Sequence, residues 1–290
     1  MEINKTFQET EVEAVLSLLD QYQDNSKIIA GGTDIIIQLH QGRVNPEVLI
    51  DISNLNEIKE IKQIEGRILI GSATTFTSLM KSQVIPKNLW GLIEAASQVG
   101  SPQIRNAATI GGNICNGSPA ADIVPPLLAL NSQLVIANKM TERKVPLETF
   151  FIDKGKVDLK NNELLSYIEF ENIKENQGLG FTKLGLRKAL AISRISVAVF
   201  LEMKDGCFNE IRIATGSCGK FAIREKEVED FMRNKQVTDE LIEAGANLYS
   251  NIILKRLAGR HGSDYKSEAI KGIFKDGLGK ATHLAKKGGV

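Results

Sequence analysis

The sequence predicts an α+β fold in three lobes, on three observations. A strand, a glycine turn and a short helix follow one another within residues 27–42. Apolar runs of strand length then alternate with runs at helical spacing as far as about residue 175. Past the polar stretch Asn172–Gly178, two alternating runs flank Asp205-Gly206, a strong hairpin dipeptide, and the remainder is spaced as helix. At 290 residues the chain has room for more than one core. The expected division is a first domain over residues 1–175, with subdomains of about 1–55 and 56–175, and a second over 176–290.

Thr10 followed by Glu13 has the form of a capping box ahead of Val12, Val15, Leu16 and Leu19, which predicts a helix over the second decade of residues. Lys27–Ala30 reads as a short strand. Thr33 and Asp34 are candidate N-caps for a helix through Ile35, Ile36 and Leu39, which Gly42 would end. Val48–Asp51 reads as a buried strand. In the second lobe Arg67–Gly71 has strand character, and Thr74 or Thr75 is placed to cap a helix carrying Phe76, Leu79 and Met80. Leu89–Val99 is apolar at helical spacing, and Gln133–Ala137 and Leu164–Phe170 read as strands. Lys154–Asn162 is polar and is expected to loop out. In the last lobe Ser196–Met203 and Phe208–Thr215 form the hairpin, and helices are expected over Ala222–Asn234, Asp239–Leu257 and Tyr265–Ala285.

Bulk properties exclude several functions. A net charge of +1 gives no footprint for nucleic acid. No apolar run approaches the ~18 residues of a membrane helix. Met-Glu-Ile-Asn-Lys lacks the basic and apolar regions of a secretory signal, so a cytoplasmic location is expected. Cys115, Cys207 and Cys218 form no C-x-x-C, and His40, His261 and His283 share no ligand spacing. Neither a zinc site nor an iron–sulfur cluster is therefore expected in this chain.

Two segments carry chemistry. Thr109-Ile-Gly-Gly-Asn-Ile-Cys-Asn-Gly-Ser-Pro-Ala-Ala-Asp122 is dominated by small residues, has no Lys or Arg, and ends in one carboxylate. Gly111 and Gly112 permit close approach to the main chain, and consecutive free N–H groups make an anion-binding concavity. Ala30-Gly-Gly-Thr-Asp34 is similar and directly follows a strand. Alone it is an ordinary tight turn. Together, two such loops could hold one pyrophosphate from two sides, which points to a dinucleotide. The chain has neither G-x-G-x-x-G nor G-x-x-x-x-G-K-[ST], so the common nucleotide folds do not apply. Asp122 could accept from ribose hydroxyls, and Asn113 and Asn116 could bond a ring edge. Cys115 has no nearby His and reads as a packing residue. Lys183, behind an aromatic in a strand, reads on its own as a surface residue.

These residues carry a family resemblance. Lys27–Asp34, Pro102–Asn113 and Asp122, with Gly71-Ser-Ala-Thr-Thr-Phe76, Glu163-Leu-Leu-Ser166, Phe181-Thr-Lys183 and Asp264-Tyr-Lys266 in order, resemble the FAD-binding (medium) subunits of the molybdenum hydroxylases. Within that family the likeness is greatest to the separate FAD subunits of bacterial xanthine dehydrogenases. It implies a flavin fold of the vanillyl-alcohol-oxidase (PCMH) type in two subdomains, plus a C-terminal domain of the CO dehydrogenase flavoprotein type. It implies that Lys27, Ile28, Ile29, Ala30, Gly31, Gly32, Thr33 and Asp34 surround the FAD pyrophosphate together with Thr109, Ile110, Gly111, Gly112 and Asn113. Asp122 would fall on the ribose or adenosine side, Leu165 near the adenine, and Lys183 by the electron-rich edge of the flavin. An ammonium ~4 Å from a unit negative charge, at an effective dielectric near 20, interacts by ~4 kcal/mol, enough to move a redox potential.

The resemblance further implies a molybdopterin-binding large subunit and a 2Fe-2S small subunit as partners, with NAD+ as the electron acceptor. No side chain of this chain would act as acid, base or nucleophile. Two positions depart from the family pattern: Val99 stands where relatives have an aromatic, and Ala191 where they have an acid. Arg187 and Lys188 make the neighbouring loop basic, which would suit a pyrophosphate-bearing acceptor. Flavin subunits of nicotinate-, aldehyde- or CO-oxidising enzymes share these features, and a stand-alone nucleotide-binding module is the alternative of another class.

Overall fold

A computed structural model describes residues 3, 5–187 and 190–287; Lys188, expected in the basic loop, lies outside them. The first lobe is a parallel sheet of β1 (Lys5–Gln8), β2 (Ser26–Ile29) and β3 (Val48–Asp51) in the order β1–β3–β2. Parallel neighbours need crossovers, which α1 (Val12–Tyr22) and α2 (Ile35–His40) supply. Val12, Val15, Leu16 and Leu19 make one buried stripe on α1, clustered with Val48, Ile50 and Ile52. The Thr10 capping box does not form. Glu11 is the N-cap, without a side-chain bond, so Glu13 sits at the second helical position and not the third.

The second lobe contains β4 (Ile61–Ile64), β5 (Arg67–Gly71), α3 (Phe76–Lys81), α4 (Trp90–Ser97), α5 (Pro102–Ala107), α6 (Ile110–Cys115) and α7 (Val124–Ala129). It continues with β6 (Gln133–Ala137), β7 (Glu142–Pro146), α8 (Leu147–Phe150), the small hairpin β8 (Phe151–Asp153) and β9 (Lys156–Val157), and β10 (Leu164–Glu171). The main sheet is antiparallel in the order β4–β5–β10–β6–β7. Thr75, not Thr74, caps α3 by accepting from the Ser78 N–H at 3.1 Å. Ile68, Ile70 and Phe170 share one core with Phe76, Leu92, Ile110 and Leu127 from the helices. A register shift between Leu165 and Tyr167 turns the Ser166 carbonyl toward the Ser72 N–H, at 2.9 Å. Lys154–Asn162 is mostly turn and irregular, as expected, apart from β9, which pairs with β8; the segment runs beside the cleft between the first two lobes.

The third lobe is an antiparallel sheet of β11 (Gln177–Gly185), β12 (Ser193–Lys204), β13 (Cys207–Gly216) and β14 (Ile223–Arg224), with α9 (Lys226–Met232), α10 (Asp239–Arg256) and α11 (Ser263–Lys287). Asp205 and Gly206 take φ of 50° and 76°, the two positive values a two-residue hairpin turn requires. The helix expected from Ala222 starts only at Lys226, because Ile223 and Arg224 pair with β13. Alternation along β11 separates two jobs. Leu179 and Phe181 enter the core of the second lobe, while Gly178 and Gly180 face α11. A Cβ on Gly180 would lie 2.2 Å from the Gly277 carbonyl oxygen, so the helix lies directly on the strand. Among the described residues, no helix is long and apolar enough to cross a membrane.

Candidate functional site

A cleft of about 540 Å³ separates the first lobe from the second, within the size range of small-molecule sites. Of the residues expected at a cofactor, Lys27, Ile28, Ala30, Gly31, Gly32, Thr33, Asp34, Thr109, Gly111, Gly112, Asn113 and Leu165 line it. Ile29, Ile110, Asp122 and Lys183 do not. Ile29 is held in the sheet, where its carbonyl accepts from the Ile52 N–H, and Ile110, the first residue of α6, is fully buried in the core.

The two glycine segments are not equivalent. The N–H groups of Gly31, Gly32, Thr33 and Asp34 have no acceptor among the described residues. Gly32 takes φ of 72°, and a Cβ on Gly31 would lie 1.8 Å from the Ala107 carbonyl oxygen. The turn is thus pressed against the junction of α5 and α6 with its donors free. The second segment is not a loop at its start: Thr109 caps α6. Its N–H groups are already spent, Ile110 on the Thr74 carbonyl at 2.9 Å, Gly111 on the Ser72 carbonyl at 2.8 Å, Gly112 on Thr109 Oγ1 at 3.1 Å and Asn113 on the Thr109 carbonyl at 3.0 Å. Gly111 is required for packing, since its Cβ would fall 2.5 Å from the Ser72 Cβ.

What this side offers is side chains. Ser72 Oγ and Asn113 Oδ1 are buried, without a partner among the described residues, and both residues line the cleft. Buried polar groups left unpaired cost about 1–3 kcal/mol each. Free backbone donors on one wall and unpaired polar side chains on the other fit an extended, anionic, hydroxyl-bearing ligand such as a dinucleotide.

Polar contacts also cross the cleft: Gln38 Nε2 donates to Asn116 Oδ1 at 3.1 Å, and Asn161 bonds Asp24. Partial burial pushes the Asp34 carboxyl above its ordinary range, and a hydrogen bond to Asn116 offsets part of that. Burial pushes the Cys115 thiol up to about 12, so it is inert as a nucleophile at neutral pH.

Asp122 and Lys183 meet each other. Lys183 Nζ lies 2.6 Å from Asp122 Oδ2 and 3.1 Å from the Gln98 carbonyl oxygen, and Ser193 donates to Asp122 Oδ1. Burial raises the Asp122 carboxyl, while Lys183 and Ser193 pull it back. A ribose role for Asp122 and a flavin role for Lys183 put one ion pair at two separate parts of a dinucleotide; this geometry lets the pair adjoin only one.

Behind Ser193 opens a second cavity, about 910 Å³, with Lys154, Arg187, Arg194, Lys220, Arg260 and Lys266 facing one acid, Asp153. Ala191 lines it too. The cavities adjoin where the Gly155 N–H meets the Gly117 carbonyl at 3.1 Å: Asn116 and Gly155 line the first, Ser118 and Lys154 the second. Val99 is half-buried, and its carbonyl accepts from Arg105. Sequence reasoning assigned no role to Ser72, Lys160, Asn161 or Glu163, all of which line the cleft. Ser72 and Glu163 do lie in segments that carried the resemblance.

Known proteins resemble this chain over most of its length. The family model "FAD binding domain in molybdopterin dehydrogenase" matches residues 2–170, and "CO dehydrogenase flavoprotein C-terminal domain" matches residues 181–281. The xanthine dehydrogenase FAD-binding subunit of Escherichia coli O157:H7 is 35% identical over 95% of this chain and 94% of its own length. The nicotinate dehydrogenase FAD-subunit of Eubacterium barkeri is 33% identical over 91% of each. A structure of carbon monoxide dehydrogenase from Hydrogenophaga pseudoflava superposes with a TM-score of 0.90 at 26% identity, covering 98% of both chains. With two family models end to end along its length and its free donors facing one cleft, the chain belongs to the FAD-binding subunits of the molybdenum hydroxylases.

Proposed function

We propose that this chain is the electron-transfer subunit of a xanthine dehydrogenase-like enzyme, passing electrons from an iron–sulfur subunit through FAD to NAD+. The observation that carries the reading is the asymmetric cleft: four free N–H groups at Gly31–Asp34 opposite the unpaired Ser72 Oγ and Asn113 Oδ1. In this reading Gly31–Asp34 hold the pyrophosphate, and Leu165 and the segment before it border the adenosine. The Asp122–Lys183 pair then stands at the flavin end, beside the second cavity. When bound, FAD supplies the change from one-electron to two-electron chemistry. The residues of this chain hold and orient it and keep water from its phosphates.

A molybdopterin-binding large subunit and a 2Fe-2S small subunit are the partners, and the oxidation of a C–H group belongs to the large one. The second cavity supports NAD+ as acceptor, because its lysines and arginines match a pyrophosphate. The nicotinate relative is nearly as similar as the xanthine relative. A nicotinate-oxidising assembly is therefore the second reading, to be decided in the large subunit's pocket.

The test is co-purification of the native chain with its partners, followed by substrate-dependent NAD+ reduction. Xanthine-driven reduction is expected. Reduction driven by nicotinate but not xanthine would favour the second reading, and a purified chain without flavin absorbance would sink both.

A further inference from the structure

We propose that Arg143 is a positioning residue for the cofactor: from behind the cleft wall, it sets the shape of segment 157–165. The proposal rests on the reading of this cleft as the FAD site. Arg143 lies on the edge strand β7 and is not among the cleft-lining residues. Its Nε and Nη2 donate to the two carboxylate oxygens of Glu163, both at 2.9 Å. Nη1 donates to Asp158 Oδ2 at 2.8 Å, and Nη2 also to the Asp158 carbonyl at 2.6 Å. Glu163 Oε2 accepts from the Lys160 N–H at 2.8 Å as well. The Glu163 side chain is 1% exposed, so its charge has no recourse to water.

The residues fixed in this way are the wall itself. Val157, Leu159, Lys160, Asn161, Glu163 and Leu165 line the cleft, yet most of the stretch between β9 and β10 has no ladder of its own. A bidentate arginine–carboxylate pair fixes orientation as well as distance, which a lysine cannot do. The same wall reaches the opposite lobe through Asn161 and Asp24, so its position also sets that contact. The next residue along the strand provides a contrast. Lys144 pairs with Glu169 at 2.9 Å, and neither of these lines the cleft.

The experiment titrates the full chain, stripped of flavin, with FAD and separately with ADP, for wild type, Arg143→Ala, Arg143→Lys and Lys144→Ala. Urea unfolding of each flavin-free chain is measured in parallel. Arg143→Ala is expected to weaken FAD and ADP by about tenfold or more, and Arg143→Lys by about threefold or more, with Lys144→Ala within about twofold of wild type. Wild-type affinity in Arg143→Lys overturns the proposal. So does an equal loss of affinity in Lys144→Ala, which would mark a general effect of strand stability. If Arg143→Ala does not fold, Arg143→Lys decides. A wild-type chain that takes up no FAD fails the cofactor reading itself, which is a distinct result.

Discussion

The carboxylate of Asp122 lies 2.6 Å from the ammonium of Lys183, although one sits in the turn just before α7 and the other belongs to the sheet of the third lobe. Their side chains are 6% and 7% exposed. The pair is a charged joint between lobes, and each charge cancels most of the other's field. A flavin beside it would feel a dipole and not the bare cation expected from the sequence.

Removing one member of that joint leaves a buried charge unpaired, which costs about 3–5 kcal/mol. Lys183→Met should lose that much stability in urea unfolding of the full chain. Asp122→Asn combined with Lys183→Met should recover part of it. Asp122→Asn alone leaves the ammonium uncancelled and is expected to shift the potential of bound FAD upward. An unchanged stability for Lys183→Met would mean that the pair joins nothing.

Gly31→Ala is expected to abolish FAD retention. The new Cβ would lie 1.8 Å from the Ala107 carbonyl oxygen and 2.4 Å from its carbon, both backbone atoms that cannot step aside. The turn must then leave the α5–α6 junction and carry its free N–H groups out of register. Gly272→Ala is the control, a helical position with nothing within 4 Å of the added carbon. It should keep flavin and gain about 0.5–1 kcal/mol of stability. Flavin absorbance of the purified variants decides; a yellow Gly31→Ala chain refutes the cradle.

The strands read from sequence were those that announce themselves locally. Val48–Asp51, Arg67–Gly71 and Gln133–Ala137 are short apolar runs bounded by polar or turn residues, and each forms as expected. Ile61–Ile64 and Glu142–Pro146 were not legible, because both are edge strands with polar, half-exposed faces. The site was legible in its glycines and not in its bonding. Nothing in Thr109–Asn113 tells that Ser72 and Thr74, distant in sequence, will accept two of its N–H groups. The same holds for Asp122 with Lys183 and for Arg143 with Glu163, since spacing carries no information on contacts that only the fold creates.

Asp34 and Glu163 should titrate in opposite senses. Partial burial holds the Asp34 carboxyl above 3.8, and a phosphate placed next to it would raise it further. FAD binding then takes up a proton, so affinity is greatest at low pH and falls as pH rises through the bound-state value. Asp34→Asn should flatten that slope, as read by FAD titration across pH. Burial works against the Glu163 carboxylate, but Arg143 and the Lys160 N–H hold it below 4.5. Its stabilising contribution is complete above 4.5 and is lost as pH falls through the lowered value. Below that point the cleft wall should loosen and release flavin. Glu163→Gln, which has no group to titrate there, should hold FAD more weakly already at neutral pH and lose this acid step.

Gly180→Ala tests the seat of the third lobe. A Cβ there would meet the Gly277 carbonyl oxygen at 2.2 Å and the Ala281 N at 2.8 Å, so α11 must lift from β11. Overpacking of this kind costs about 1–3 kcal/mol, more where backbone must move. Because Lys280 of α11 also bonds Glu94 of α4 at 2.6 Å, lifting the helix strains a contact with the second lobe. Limited proteolysis should cut the variant within α11 while residues 5–170 stay protected. Wild-type resistance would show that the helix does not need this close approach.

Arg194 and Arg260 line the second cavity, and their guanidinium groups have no partner among the described residues. Lys220 is already engaged by Asp153 at 3.2 Å, and Lys266 by the Ser217 carbonyl at 2.6 Å. Arg187 is turned onto the Leu190 carbonyl, and the Lys154 ammonium, without a partner among the described residues, is a point charge. The two arginines therefore carry the free forked donors an incoming pyrophosphate can use. Reversing one charge near a phosphate in water-like surroundings changes the interaction by about 2 kcal/mol, since an attraction of about 1 is lost and a repulsion of about 1 is gained. Arg194→Glu with Arg260→Glu should therefore weaken NADH by about a hundredfold or more at low salt. The loss should shrink as salt screens these exposed charges. Reduction of the bound FAD by NADH measures this on the chain without its partners. Lys220→Glu should do less, because that lysine is already neutralised. Equal effects of all three substitutions would point to general surface charge and remove the cavity from the path of the acceptor.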